Sequence, residues 1–236
     1  MNTLCFELCI ENVAAARAAE AGGAHRVELC GTLDDGGLTP CPDLMRAAVN
    51  AVSIPVSVLI RPRYGGFVFS PEELDRMRSQ IGAAKRAGAA SVVLGLLLPD
   101  SRVDVARTRE LVELARPMRV TFHRAFDQTP DLLAALEDVI ATGANCLLTS
   151  GGKPDVLAGA DTIGRIRQQA AERIEIMAGG GLRLGNLAEV ARRSGVASLH
   201  SSLAWNGADP ATLEDDLRTA IRLFHEVWSD PVAFTA

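Results

Sequence analysis

Short apolar runs alternate with longer amphipathic segments along the whole chain. The runs are rich in Leu and β-branched residues, which is typical of strands, whereas the longer segments repeat apolar residues at helical spacing. The predicted strands are Leu4–Cys9, Arg26–Cys30, Val56–Arg61, Ser91–Leu96, Arg119–His123, Cys146–Thr149, Ile174–Ala178 and Ala197–His200. The predicted helices are Asn12–Ala21, Pro42–Ala51, Pro71–Ala87, Val105–Ala115, Pro130–Ala141, Asp155–Ala170, Leu187–Arg193 and Pro210–Glu226.

This alternation predicts consecutive β–α units over 236 residues. Eight such units at this length favour a closed parallel (β/α)8 barrel of class α/β, the TIM barrel, which typically needs about 250 residues. A doubly wound open sheet is the alternative. No Gly-x-Gly-x-x-Gly follows the first strand, so we expect no nucleotide cofactor. No linker or change of composition divides the chain, and we expect residues 1–236 to form a single domain.

Composition and charge exclude several classes of protein. Hydrophobic residues make up 48% and charged residues 22% of the chain, which excludes a disordered or low-complexity protein. A net charge of −5 repels phosphodiester backbones, so we expect no nucleic-acid partner. No apolar run approaches the roughly 20 residues that span a bilayer, and the N-terminus lacks a basic signal-peptide region. We therefore expect a cytoplasmic protein with no membrane association.

Cysteine and lysine usage narrows the chemistry. The five cysteines form an odd set without a Cys-x-x-Cys pair, which argues for reduced thiols rather than disulfides. The only lysines are Lys85 and Lys153. Both are expected to belong to ordinary surface features, so an imine mechanism is disfavoured.

Strand parity predicts which side chains enter the barrel. Side chains alternate along a strand, and in the first strand the apolar pair Phe6 and Leu8 is expected to face the helices. The same alternation brings polar side chains into the interior near the C-terminal strand ends, where TIM barrels hold their active sites. These residues are Glu7, Cys9, Glu28, Cys30, Arg61, His123 and His200, with Arg63, Arg124 and Asp127 just beyond the strands.

So many ionisable groups in a barrel interior indicate a pocket for an anion or a metal ion. Burying a charge costs several kcal/mol unless the charge is paired, and Val, Ile and Leu fill a purely structural interior at lower cost. The alternative is a self-neutralising network of Glu and Arg. In a functional pocket, Arg61, Arg63 and Arg124 are the predicted anion ligands, because arginine binds carboxylate and phosphate in bidentate fashion.

The same pocket contains candidates for proton transfer. Glu7 or Glu28 is the predicted general base, and His123 is the predicted acid–base partner, oriented by Asp127. With these roles the protein would be a lyase, isomerase or hydrolase of a small anionic or phosphorylated metabolite.

Glycine-rich loops follow the last three predicted strands. Ser150-Gly151-Gly152, Gly179-Gly180-Gly181 and His200-Ser201-Ser202 occupy these positions. Loops after strands 7 and 8 often bind phosphate through backbone N–H groups, which glycine allows to approach closely. We therefore expect Ser150, Gly180 and His200 to contact substrate. The alternative is that these glycines only form tight turns.

Cys9 and Cys30 are expected at equal heights on neighbouring strands, which lie about 4.8 Å apart. Two such thiolates suit a soft ion such as Cu(I), held nearly linearly with His123 or a third sulfur beside it. The alternatives are that each cysteine is a small buried hydrophobe, or that Glu7 and Glu28 favour a harder cation.

Several runs resemble the CutC copper-homeostasis family. The resemblance rests on Gly23-Ala24-His25-Arg26-Val27-Glu28-Leu29-Cys30, Gly36-Gly37-Leu38-Thr39-Pro40, Ile60-Arg61-Pro62-Arg63, Thr121-Phe122-His123-Arg124-Ala125-Phe126-Asp127, Leu148-Thr149-Ser150-Gly151 and Met177-Ala178-Gly179-Gly180-Gly181. It implies a TIM barrel, a cytoplasmic homodimer, a role in copper handling and Cu(I) binding through cysteine. Two hypotheses follow: a copper-binding homeostasis protein with Cys9 and Cys30 as ligands, or an enzyme acting on a small anionic metabolite.

Overall fold

The computed structural model describes residues 4–33, 36–203 and 209–229. Its parallel strands close into a barrel in chain order, and β8 pairs with β1. The strands are β1 (Cys5–Ile10), β2 (Arg26–Leu29), β3 (Val56–Leu59), β4 (Ser91–Leu94), β5 (Arg119–Phe122), β6 (Cys146–Thr149), β7 (Glu175–Gly179) and β8 (Ser198–Ser201). The helices are α1 (Val13–Ala21), α2 (Pro42–Ala51), α3 (Pro71–Ala87), α4 (Val105–Ala115), α5 (Leu132–Thr142), α6 (Ala160–Ala170), α7 (Leu184–Ser194) and α8 (Pro210–Ser229). The predicted (β/α)8 barrel is confirmed.

Helix boundaries follow the capping residues. Ser70 caps α3 as part of a capping box, in which its backbone N–H donates to the Glu73 carboxylate at 2.7 Å. The start of α5 differs from the predicted Pro130, because the Asp131 carboxylate accepts from the N–H groups of Leu133 and Ala134. A capping carboxylate satisfies N–H groups that would otherwise lack partners at a helix start, so α5 begins after Asp131.

Helix α6 begins at Ala160, five residues later than the predicted Asp155. Turns occupy the preceding segment, and Gly159 packs directly on the backbone carbonyl of Ser150. A Cβ at Gly159 would lie 1.8 Å from that oxygen, so only glycine fits this approach.

Side chains in the barrel strands alternate as predicted. Phe6 and Leu8 are fully buried in the main hydrophobic core, which also includes the apolar faces of the surrounding helices. Inside the barrel, two small apolar clusters are separate from that core. The first contains Cys9, Cys30, Leu59 and Val93, and the second contains Cys146, Leu148 and Met177.

The rest of the described interior is strongly polar. In the register of the barrel, Glu7 is paired with Arg26 on β2 and with His200 on β8. Arg26 also contacts Glu175, which in turn binds Arg119 at 2.9 Å. Charges of opposite sign therefore alternate through the barrel in an interior charge column, defined as Arg119, Glu175, Arg26, Glu7, His200 and Glu28.

None of the helices in the described part of the chain combines the length and the apolarity needed to cross a membrane.

Candidate functional site

A cavity of about 610 Å³ opens at the C-terminal ends of the strands. Its position is that of the active sites in TIM-barrel enzymes. It brings together most of the site residues expected from the sequence. Those that line it are Cys9, Glu28, Cys30, Arg61, His123, Arg124, Asp127, Gly180 and His200.

Cys9 and Cys30 meet at the cavity wall. Their Sγ atoms lie 3.4 Å apart, and both side chains are buried. The two cysteines are not register partners, since Cys9 is the Cα partner of Glu28 and Cys30 lies two residues after Glu28, just beyond the end of β2. Strands of a closed barrel tilt and stagger against one another, and this offset brings the two sulfurs together.

Both thiols resist ionisation. The hydrogen bond with Cys30, together with burial, raises the pKa of Cys9 well above its usual value. For Cys30 the hydrogen bond with Cys9 favours the thiolate, but burial and the Glu28 carboxylate outweigh it and raise the pKa. The pair is therefore protonated near neutral pH, and a metal ion must displace protons to bind it.

His200 lies between two carboxylates. Its Nδ1 is 2.8 Å from Oε1 of Glu7, and its Nε2 is 3.5 Å from Oε2 of Glu28. Burial opposes protonation of the imidazole, but hydrogen bonds with Cys9 and Glu7 outweigh burial and raise the pKa of His200 well above its usual value. The ring is thus cationic near neutral pH, and a metal ion must displace a proton to bind its Nε2.

Glu7 lies beneath the cavity rather than in its lining. It is fully buried and accepts hydrogen bonds from Arg26 at 2.7 Å and Ser57 at 3.3 Å. Burial alone would raise the pKa of Glu7, but Arg26 and His200 lower it to about 2. Glu7 is thus the counterion of Arg26 and His200. At this residue the structure fits the alternative hypothesis of a self-neutralising network rather than that of a general base.

Glu28 is the carboxylate that reaches the cavity. Burial raises the pKa of Glu28, and the nearby Glu7 carboxylate adds to the effect, while His200 opposes it. Of the two predicted general bases, only Glu28 lines the cavity and has an elevated pKa. A carboxyl group with a raised pKa is suited to proton transfer near neutral pH.

His123 presents a neutral imidazole to the cavity. Burial, assisted by the Arg61 guanidinium, lowers the pKa of His123 to about 3. Nδ1 accepts from the N–H of Ala125 at 3.2 Å, which leaves the ring proton on Nε2. The ring packs 4.8 Å from Phe67, centroid to centroid. His123 is therefore a hydrogen-bond donor at neutral pH rather than a cation.

The expected role of Asp127 in orienting His123 is wrong. Asp127 follows β5 in a single 3-10 turn and faces the loop after β6 instead. Its carboxylate accepts from the N–H groups of Ser150 and Gly152 and binds the Thr149 hydroxyl. Because these donors occupy the carboxylate, Asp127 holds the β6 loop in place.

Arg124 and Gly180 form one unit at the cavity wall. The Arg124 guanidinium donates to Asp127 at 3.0 Å and to the Ser150 hydroxyl at 3.0 Å. A Cβ at Gly180 would lie 2.7 Å from the guanidinium carbon, and the φ of Gly180 is +104°. Gly180 thus makes room for Arg124, whereas Ser150 supports Arg124 and Asp127 without lining the cavity.

The structure separates the other two predicted anion ligands. Arg61 is buried at the cavity, donates to the carbonyls of Gly37 and Gly65, and lies 5.2 Å from the Phe67 ring centroid. Arg63 instead turns to the outside, where it binds Glu73 and stacks on Phe69. Arg63 therefore does not join Arg61 at the cavity.

Two basic residues that line the cavity were not predicted from the sequence. Lys153, expected in an ordinary surface loop, and Arg183 both line the cavity. The available signal was their position beside the glycine runs after β6 and β7, because loops at that end of a TIM barrel build the site. Lys153 directly follows Gly151-Gly152, and Arg183 is the second residue after Gly181.

Comparison with known proteins assigns this chain to a family. The model of the CutC family matches residues 4–205. The chain belongs to the CutC family. A family protein CutC of Porphyromonas gingivalis is 44% identical over 84% of this chain and 80% of the relative. One of Caulobacter vibrioides is 45% identical over 87% of this chain and 84% of the relative.

One solved structure agrees with this assignment, and a second shares the fold. A crystal structure from Streptococcus agalactiae, provisionally described as a copper homeostasis protein CutC, has a TM-score of 0.80 and 29% identity, covering 85% of this chain and 99% of that one. The thiamine phosphate pyrophosphorylase of Pyrococcus furiosus has a TM-score of 0.65 at 15% identity, covering 94% and 96%. This second likeness shows the barrel fold alone.

Proposed function

We propose that this CutC family member binds Cu(I) through Cys9 and Cys30 and acts in copper homeostasis. The observation that carries the proposal is the 3.4 Å separation of the two sulfurs at the wall of an open cavity. Soft thiolate ligands select Cu(I) over harder ions. The description of the Streptococcus agalactiae relative as a copper homeostasis protein supports the same function.

The sulfur separation favours a bent site over a nearly linear one. Linear coordination places two sulfurs two bond lengths apart, about 4.6 Å for metal–sulfur bonds of about 2.3 Å. At 3.4 Å the Cys9 and Cys30 sulfurs suit a bent arrangement completed by a third donor. His200 interacts with Cys9 and is therefore the proposed third ligand, in place of His123.

Anaerobic titration of the reduced protein with Cu(I) against a chromophoric chelator tests this proposal. We expect one Cu(I) per chain, with tight binding lost in the Cys9→Ser/Cys30→Ser variant. Cys146→Ser is the matched control, because Cys146 is equally buried but belongs to a different interior cluster. Unchanged copper stoichiometry in the double variant would contradict the proposal.

A second candidate function is favoured by the size and charge of the cavity. About 610 Å³ greatly exceeds the space that one ion occupies and falls in the range of small-molecule sites. Arg61, Arg124, Lys153 and Arg183 contribute positive charge to its lining. We propose that these residues bind a small anionic or phosphorylated metabolite, with Nε2–H of His123 as hydrogen-bond donor and Glu28 as the proton acceptor of an enzymatic reaction.

Thermal unfolding with inorganic phosphate, pyrophosphate and citrate tests the second candidate. We expect at least one of these anions to raise the unfolding temperature in a saturable manner, since a ligand that binds only the native state stabilises it. Arg124→Met should abolish the shift, whereas Arg102→Met, which removes an exposed arginine paired with Asp100, should retain it. Equal shifts in both variants would exclude Arg124 as the anion ligand.

A cytoplasmic location and a homodimer stay predictions that rest on the family resemblance.

A further inference from the structure

Donor atoms of three kinds converge at the wall of the cavity. They are the sulfurs of Cys9 and Cys30, a carboxylate oxygen of Glu28 and Nε2 of His200. The donor atoms of Cys9, Glu28 and Cys30 all lie within 4.8 Å of one another. His200 joins this set through Glu28 and Cys9, since its Nε2 is 3.5 Å from Oε2 of Glu28 and its ring interacts with the Cys9 thiol.

Two of the donor separations are close to those of a tetrahedral centre. Zn²⁺ forms bonds of about 2.3 Å to sulfur and about 2.0–2.1 Å to nitrogen and oxygen, so tetrahedral angles set two sulfurs about 3.8 Å apart and a nitrogen and an oxygen about 3.3–3.4 Å apart. The sulfur–sulfur distance is 3.4 Å and the nitrogen–oxygen distance is 3.5 Å. The nitrogen–oxygen pair is therefore close to its tetrahedral separation, and the two sulfurs must move apart by about 0.4 Å to reach theirs.

An independent feature behind His200 also points to a metal ion. A metal-binding histidine commonly uses its second ring nitrogen to hydrogen-bond a carboxylate, which fixes the orientation of the ring. Here Nδ1 of His200 is 2.8 Å from Oε1 of Glu7, and Arg26 holds the other oxygen of Glu7 at 2.7 Å. Glu7 is thereby fixed as the orienting carboxylate, and Nε2 is directed to the donor cluster.

We propose that Cys9, Cys30, Glu28 and His200 form a four-donor centre for a borderline divalent cation of the Zn²⁺ class. Mixed sulfur, nitrogen and oxygen donors suit such an ion, whereas the Cu(I) proposal has no use for the carboxylate oxygen of Glu28. The centre goes beyond the copper proposal by adding Glu28 and a different class of cation, although the two share Cys9, Cys30 and His200. All four residues line the cavity, so the cation faces the space proposed for an anionic ligand and can polarise an oxygen of that ligand as a Lewis acid.

Anaerobic titration of the metal-free, reduced protein with Co²⁺ tests the centre, because tetrahedral Co²⁺ with thiolate ligands absorbs visible light intensely and octahedral Co²⁺ does not. We expect one Co²⁺ per chain with a tetrahedral spectrum and sulfur-to-metal charge-transfer bands, all displaced by Zn²⁺. Glu28→Gln and His200→Asn should each weaken Co²⁺ binding at least about tenfold. Glu7→Gln should weaken it by roughly 10–100-fold, as expected when the orienting carboxylate is lost.

Parallel Cu(I) titrations separate this proposal from the copper proposal. Glu28→Gln should leave Cu(I) affinity unchanged while it weakens Co²⁺ binding, which supports the four-donor centre. Loss of Co²⁺ binding in Cys9→Ser/Cys30→Ser but not in Glu28→Gln or His200→Asn would overturn it. Tetrahedral Co²⁺ binding in a wild-type protein that does not bind Cu(I) would uphold the centre and refute the copper proposal.

The wild-type spectrum keeps the test decisive even if a variant does not fold. Circular dichroism and thermal unfolding of Glu7→Gln, Glu28→Gln and His200→Asn establish whether each retains the barrel. An octahedral Co²⁺ spectrum in the wild-type protein, or no Co²⁺ binding, overturns the four-donor centre whatever the variants show.

Discussion

Glu7 and His200 are register partners on β1 and β8, and Oε1 of Glu7 lies 2.8 Å from Nδ1 of His200. Because the carboxylate comes from the neighbouring strand, the imidazole is held by the barrel itself rather than by a loop. Its other nitrogen points to Glu28. Glu7 therefore affects the cavity without lining it, because it fixes the orientation of the His200 ring, which does line the cavity.

Replacing Glu7 should strongly destabilise the fold. Glu7→Gln leaves the Arg26 guanidinium, which is 16% exposed, with Glu175 as its remaining carboxylate, so the loss should lie near the lower end of the roughly 3–5 kcal/mol that breaking a buried ion pair costs. Denaturant unfolding monitored by circular dichroism measures the change in the free energy of unfolding. The matched control is Asp100→Asn, which removes an exposed partner of Arg102 and should leave stability essentially unchanged. Similar stabilities for the two variants would contradict the proposed role of Glu7.

Acid should destabilise the protein partly through His123. Its pKa is about 3 in the folded state and about 6.5 when unfolded, so between these values the unfolded chain binds a proton that the folded chain does not. Stability is then lost as the pH falls from about 6.5 to 3, by roughly 2 kcal/mol at pH 5. His123→Asn removes this group, and its stability should fall less between pH 7 and pH 5. Parallel curves for wild type and variant would contradict the prediction.

The protonation state of His123 can be observed directly. Because Nδ1 accepts from the Ala125 N–H, nitrogen NMR of histidine-labelled protein should show a neutral ring with its proton on Nε2 between about pH 5 and 8. Gly95→Ala should disturb this signal, since a Cβ at Gly95 would lie 2.5 Å from Nδ1. A proton on Nδ1, or titration near pH 6.5, would show that the ring is oriented differently.

Gly180 should control anion binding through Arg124. A methyl group at Gly180 would collide with the guanidinium, so Gly180→Ala should displace it and lower pyrophosphate affinity severalfold. Gly185→Ala is the matched control, because a Cβ there meets nothing within 4 Å. Thermal unfolding of both variants with pyrophosphate measures the effect. An undiminished shift in Gly180→Ala would show that Gly180 and Arg124 do not control anion binding.

The fold and the inward-facing residues were predictable because both follow from local periodicity. An alternation of period two decides which side of a strand a residue faces, and it correctly directed Glu7, Glu28 and His200 inward. Depth along the barrel was not predictable. Two glutamates of the same parity lie at different levels because strand stagger is a property of the closed barrel, so Glu7 is covered and Glu28 lines the cavity.

Residues beyond the strand ends were predicted less well, because alternation stops where the strand stops. Arg63 follows β3 and pairs with Glu73 of the α3 capping box. Asp127 follows β5 and binds the loop after β6. Their partners are distant in sequence or lie in turns, and no periodic pattern connects such pairs. Only contacts within the folded protein decide which of these side chains reach the cavity.

The interior charge column also limits how the sequence can change. Arg26, Glu7 and His200 each lie between neighbours of opposite charge, so neutralising one leaves an excess charge on both sides. A paired replacement avoids that excess, because two apolar side chains of similar size can substitute for a buried ion pair at little cost. Among CutC relatives, these positions should therefore be lost or exchanged together rather than singly, and that covariation should extend from the base of the barrel to the rim of the cavity.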